Sequence, residues 1–219
     1  MPPPPATRPR GQVIALLGAE STGKTTLAHG LRDALAEEGH QVASVAEHLR
    51  EFCDQHGRAP RREEQLAIAT EQTLRIGNAA AEHAFVIADT TALTIAVYSD
   101  FIFGDRALYA SALSAQSGYA LTLLAAPDID WQPDGHQRDG AHVREPIDAL
   151  LRAALHQAQL PFSVVYGNGP TRLQNALAAV RSALKFETAQ AVGTSAPRWQ
   201  WVCERCGDAQ CERLLLPRP

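Results

Sequence analysis

No apolar run in the 219 residues approaches the roughly 18 that a membrane-crossing helix needs, so neither a membrane span nor a membrane partner is expected. Basic residues are not in excess either: 20 Lys and Arg stand against 24 Asp and Glu, a formal net charge of -4. A chain with that balance does not coat nucleic acid by bulk electrostatics, and no nucleic-acid partner is expected. Cysteine is scarce and unevenly spread. Cys53 stands alone, while Cys203, Cys206 and Cys211 crowd the far end, which is not the pattern of a secreted disulfide framework. The opening MPPPPATRPR has no apolar signal-peptide core, and its prolines neither start a helix nor donate to a sheet. Residues 1–10 therefore read as a disordered leader, and the protein as cytoplasmic. There is no internal repeat.

What is present is apolar content, 45% of the residues, enough to bury a full core in one domain. Five short runs, QVIALL, QVASVA, AFVIAD, YALTLLAA and FSVVYG, read as strands. Helical spacing lies between them at 25–38, 63–82 and 170–186. Strands apolar on both faces and alternating with helices predict an α/β fold. It has three layers around a five-stranded parallel sheet over residues 11–188, and a Cys-containing appendage follows at 189–219. Functional residues of such sheets gather at the carboxyl ends of the strands. Here those ends fall at 18–25, 47–50, 89–91, 127–131 and 167–171.

The first of these ends carries the strongest chemical pattern. GAESTGKTTL, from Gly18 to Leu27, is a glycine, four residues, a second glycine, then Lys-Thr: the P-loop spacing. The glycines let the backbone wrap a phosphate chain with its N–H groups turned inward, and the following helix adds its positive end. Lys24 is expected to reach the β and γ phosphates of a nucleotide, and the Thr25 hydroxyl to sit on Mg²⁺.

Asp89 ends the run AFVIAD. It is either the acid that organises Mg²⁺ or approaches an acceptor hydroxyl, or the N-cap of a helix starting near Ala92. The polar, turn-rich segment 128–145 reads as a lid carrying Arg138 and Arg144. Guanidinium groups swung in from a lid stabilise charge on a transferring phosphate and exclude water; a solvated surface loop is the alternative. Trp131, at the start of the segment, either offers an aromatic face to a flat heterocycle or packs the loop onto the body. Glu47 and Arg50 in VAEHLREF share a helical face, where they either grip an acceptor or pair with each other.

Taken together, GAESTGKTTL, AEHLREF, ADTTALT, DWQPDGHQRD and YGNGPTRLQNAL resemble the ribosylnicotinamide kinase domain of NadR-like proteins, over residues 13–184. Glu20 within the loop and the run Trp131, Asp134, Gly135, Arg138 are the more specific parts of the likeness. The resemblance implies a nucleoside-kinase-like P-loop fold, with ATP held by Gly18, Ala19, Glu20, Ser21, Thr22, Gly23, Lys24, Thr25 and Thr26. It implies Mg²⁺ at Thr25 and Asp89, and catalytic contacts from Lys24, Asp89, Arg138 and Arg144. Glu47, Arg50, Trp131 and Asp134 are placed beside the acceptor, and the GNGPTR turn with Arg172 flanks the adenine. The implied reaction moves the γ-phosphate of ATP to a hydroxyl of a small molecule, a nucleoside such as nicotinamide riboside. The chain departs from the family in two places. It has His48 where tyrosine is frequent, and Thr90, Thr91 and Ala92 where an aromatic usually follows the strand aspartate. The rival reading is an ATPase whose hydrolysis acts on a protein partner. A GTPase is disfavoured, because no Asn-Lys-x-Asp follows any strand.

In the appendage, Cys203, Cys206 and Cys211 supply three of the four ligands of a structural Zn²⁺ site. Glu212, Asp208, a histidine or Cys53 would complete it, and three reduced thiols are the alternative. Trp199 and Trp201 alternate just ahead of the cysteines and are expected to dock the tail onto the domain or a second subunit.

Overall fold

The computed structural model describes residues 11–132 and 140–191. The chain divides into two units, Met1–Ala183 and Leu184–Pro219, and every contact described below lies in the first. Five parallel strands form its sheet: β1 (Gln12–Leu17), β2 (Val42–Val45), β3 (Phe85–Asp89), β4 (Leu121–Ala125) and β5 (Ser163–Val165), in the order β2-β3-β1-β4-β5. Each falls within one of the five apolar runs. Along β1, Val13 to Leu17 are all buried, so successive side chains find cover on opposite faces of the sheet, as a parallel sheet sheathed on both sides requires.

The helices are α1 (Lys24–Glu37), α2 (His48–His56), α3 (Gln65–Glu82), α4 (Ala92–Phe103), α5 (Tyr109–Gln116), α6 (Arg144–Gln157) and α7 (Gly169–Ala191). α1 turns Leu27, Leu31 and Leu35 inward at a spacing of four, and burial of each leucine stabilises the fold by about 1.5–3 kcal/mol. α4 is buried at every position from Ala92 to Val97, because it packs against α3, α5 and α6 rather than lying on the surface. The polar segment expected to run as a loop to residue 145 is shorter than that. A 3-10 turn occupies Ala141–Val143 and α6 begins at Arg144, which places this arginine in a helical first turn.

The strand order positions the site. β1 lies between β3 and β4, with Leu16 beside Asp89 and Leu17 beside Leu124. The segment that leaves β1 therefore emerges mid-sheet, flanked by the tips of both neighbours.

Candidate functional site

The turn from β1 into α1 depends on its glycines. Gly18 has φ +147°, and a Cβ there would sit 2.9 Å from both the Ala125 carbonyl oxygen and Thr22 Oγ1. Gly23, at φ +73°, is the N-cap of α1 and brings no side-chain cap to the first amides of the helix. Inside the loop the Ala19 carbonyl accepts from both Lys24 Nζ and Thr22 Oγ1, each at 2.8 Å. The Lys24 ammonium thus lies across the loop it belongs to, while Thr25 and Thr26 are exposed on the first turn of α1.

Glu20 faces away from the wrapped backbone. Its Oε1 accepts from Trp131 Nε1 at 3.2 Å and from the Gly140 amide at 3.1 Å, while its own amide donates to the Tyr98 hydroxyl. Next to it, Ser21 Oγ accepts from the Gln132 amide and donates to the Gln132 carbonyl. The partly buried Trp131 is therefore tied to the phosphate loop through its indole nitrogen.

A cavity of about 630 Å³ opens beside the loop. One wall is the loop itself, Glu20 to Thr26; the other comes from α2, α3 and α4. Glu47 and Arg50 stand in this second wall and form an ion pair with each other at 3.9 Å. Cys53 lies behind them, its thiol pushed up to about 11 by burial and by the negative charge of Glu47. Sequence reasoning missed Thr94, Tyr98 and Ile102, which line the cavity from one face of α4, together with Phe103 and Gln65. Their spacing of four was the available signal. Tyr98 and Phe103 supply aromatic surface in a chain that lacks an aromatic directly after Asp89.

Asp89 is 4% exposed at the tip of β3, and its Oδ1 has no hydrogen-bond partner. It does not cap α4, because Thr91 does: Thr91 Oγ1 accepts from the Leu93 amide. A buried carboxylate oxygen without a donor is costly unless a cation meets it. A carboxylate oxygen and the Thr25 hydroxyl are oxygen donors of the kind Mg²⁺ takes. Among the described residues no three His, Cys, Asp or Glu side chains gather as a metal site.

Arg144 is 7% exposed, and its Nε and Nη2 are buried without a partner, an arrangement that favours an anion. Arg172 is committed instead to its own surroundings. Its guanidinium donates to Asp128 Oδ1 at 2.7 Å, to the Ala126 carbonyl at 2.6 Å and to the Gly167 carbonyl. Asp128 Oδ2 in turn accepts from the Gly167 amide. Burial opposes ionisation of Asp128, but the Gly167 amide and the Arg172 guanidinium outweigh it and hold its carboxyl below the ordinary 3.8. Arg138 and Asp134 lie outside the described residues, as do Trp199, Trp201, Cys203, Cys206 and Cys211. No helix among the described residues is long and apolar enough to cross a membrane.

Residues 13–172 match the family described as AAA domain. No curated protein matches the chain. Among solved structures, the fold is that of NadR protein in complex with NR, at TM-score 0.66 and 20% identity, with 87% of this chain and 54% of that one covered. NadR protein in complex with NAD and AMP-PNP matches at TM-score 0.61 and 19% identity, over 87% and 52% of the two chains. This chain thus spans about half the length of the NadR chains. Deoxyadenosine kinase from M. mycoides, with dCMP and dCDP bound, matches at TM-score 0.57 and 14% identity, over 78% of this chain and all of that one.

Proposed function

The chain belongs to the AAA domain family, and we propose that within it this protein is a small-molecule kinase that moves the γ-phosphoryl group of ATP to a hydroxyl of a nucleoside, nicotinamide riboside being the first acceptor to try. The observation that carries the reading is the single cavity walled on one side by the phosphate loop and on the other by α2, α3 and α4. An enzyme that only hydrolyses ATP has no need of a second, aromatic-lined wall facing its phosphate loop. The fold shared with NadR and with deoxyadenosine kinase supports the same reading.

The proposed roles follow from the donors and acceptors present. Backbone amides of Gly18 to Thr26 wrap the phosphates, and Lys24 exchanges the Ala19 carbonyl for phosphate oxygens. Thr25 and Asp89 hold Mg²⁺, which when bound offsets the charge of the phosphate chain. Arg144 brings a buried, unpartnered cation to the lid side, where the charge of a transferring phosphoryl group is stabilised; Arg138 is assigned the same task. Arg172 orders the turn at Gly167 beside the adenine through Asp128.

On the acceptor side, Glu47 lines the cavity whereas Asp89 does not. Glu20 also lines it, but its Oε1 is occupied by Trp131 and Gly140. Glu47 is therefore the carboxylate that takes the proton from the acceptor hydroxyl as the new P–O bond forms and ADP leaves. Arg50 orients Glu47 and the sugar hydroxyls. Among the described residues Arg50 is the one arginine of this wall and is already paired with Glu47, so the wall suits an uncharged or cationic nucleoside better than a monophosphate. Trp131 and Asp134 border the acceptor base from the lid segment.

The test is ADP release by purified protein with Mg²⁺-ATP, alone and with a panel of ribonucleosides and deoxynucleosides that includes nicotinamide riboside. Acceptor-dependent ADP with a product heavier by one phosphate is expected. ADP release indifferent to every acceptor, with only inorganic phosphate formed, replaces this reading with the ATPase one.

A further inference from the structure

The geometry points to Gln72 as a positioning residue that fixes the acceptor-side carboxylate, an inference that rests on the kinase reading of Glu47. Gln72 sits mid-way along α3 and is completely buried. An amphipathic helix has leucine or methionine at such a position unless the polar group is fully used. Here it is: Gln72 Oε1 accepts from the His48 amide at 2.8 Å, and Nε2 donates to the Ala46 carbonyl at 3.3 Å and the Thr90 carbonyl at 3.2 Å.

These three partners are not arbitrary pieces of backbone. Ala46 and His48 are the residues on either side of Glu47, so one side chain pins the chain before and after the proposed proton acceptor. Thr90 follows Asp89. The β2–β3 ladder ends at Val45 beside Ala88, and beyond it the two chains have no strand pairing to hold them. The Gln72 amide, with the same donor and acceptor groups as a peptide, takes the place of the missing rung. It also satisfies the first amide of α2, whose N-cap Glu47 provides no side-chain cap. Thr90 is held at φ +80°, a left-handed conformation that a β-branched residue adopts only when its surroundings enforce it. The enforcement is visible: its amide donates to the Leu16 carbonyl and its carbonyl accepts from Gln72. Gln72 thus ties the turn that carries Glu47 to the tip of β3, which its pairing with β1 and the Thr90–Leu16 bond already hold.

Two substitutions test this in the full-length protein. Gln72→Met keeps the volume and removes all three bonds; Gln72→Glu keeps the acceptor for the His48 amide and loses both donors. Steady-state transfer from ATP to nicotinamide riboside is measured for the wild type, for both variants, and for both combined with Glu47→Gln. Misplacing a reacting group by about 1 Å costs up to about a hundredfold. The acceptor kcat/KM of Gln72→Met should fall by about that factor while the KM for ATP stays within about twofold, because the loss falls on the acceptor side. Gln72→Glu, which sets a carboxylate oxygen against the Ala46 and Thr90 carbonyls, should fall at least as far. In the Glu47→Gln background either change should cost little more, since the group being positioned is gone. A cost undiminished in that background, or an equal loss in the KM for both substrates, assigns Gln72 to general stability and overturns the inference. If Gln72→Met does not fold, Gln72→Leu, which also removes the three bonds without burying a charge, carries the same cycle. A wild type that transfers phosphate to no acceptor sinks the kinase reading and this inference together. A wild type that does transfer, with additive losses in the cycle, sinks the inference alone.

Discussion

Trp131 Nε1 donates a hydrogen bond at 3.2 Å to Glu20 Oε1, joining the phosphate loop to a residue 111 positions further along the chain. The same oxygen accepts from Gly140, so one carboxylate holds residues on both sides of the 133–139 stretch. The Glu20 side chain thus fastens Trp131 and Gly140 to the phosphate loop.

Removing that carboxylate should therefore be costly in a graded way. Glu20→Ala leaves two partly buried donors without an acceptor and should destabilise the fold by about 1–3 kcal/mol. Glu20→Gln should cost less, because the amide oxygen still accepts. Urea unfolding of both variants checks this, and equal destabilisation by the two rules out the hydrogen-bonding role.

Lys24→Ala should abolish phosphoryl transfer and leave the circular dichroism spectrum unchanged, since Lys24 Nζ donates to a carbonyl of its own loop. A folded variant that still makes product takes the phosphate loop out of the mechanism.

Asp89 should trade stability for function. Its Oδ1 is buried without a donor, so Asp89→Asn should raise the unfolding midpoint or leave it unchanged while lowering kcat by about a hundredfold or more. Loss of stability without loss of turnover would make Asp89 a purely structural residue.

The same reasoning applies to a buried cation. Arg144→Met removes unpartnered guanidinium nitrogens from the first turn of α6 and should leave stability unchanged or improved. Turnover should fall far more than ATP affinity, because a contact to the transferring group strengthens in the transition state. Equal losses in kcat and ATP binding would reduce Arg144 to a ground-state ligand.

Asp128 sets a pH dependence. Its carboxyl titrates below the ordinary 3.8 in the folded protein, so its stabilising contribution is complete above that value and is lost as the pH falls through the lower, folded one. Unfolding midpoints measured from about pH 6 downward should fall more steeply for the wild type than for Asp128→Asn, which cannot titrate there. Parallel curves would show that the Asp128–Arg172 bond contributes nothing in solution.

The sheet was legible because its information is local. Five short apolar runs read as strands, those of β1, β3 and β4 almost wholly buried, and QVIALL followed by GAESTGKTT sets strand, phosphate loop and helix in one stretch of backbone. Glu47 and Arg50 were legible as a pair for the same reason, since three residues on a helix is a fixed distance. The far wall of the cavity was not. Thr94, Tyr98 and Ile102 repeat at four, but α4 is apolar nearly all round, so periodicity alone does not say which of its faces meets the loop.

The sequence by itself determined the phosphate loop, the order of strands and helices, and hence the class of ligand, because spacing along one element is set by backbone geometry. Only the tertiary structure decided that Glu20 bonds to Trp131 and Gly140, that Arg172 is committed to Asp128, and that Gln72 bridges the tips of β2 and β3. Each of these contacts joins residues from separate elements. Their distances follow from how the helices pack on the sheet, and a side chain's partner across such a gap is fixed by the fold as a whole.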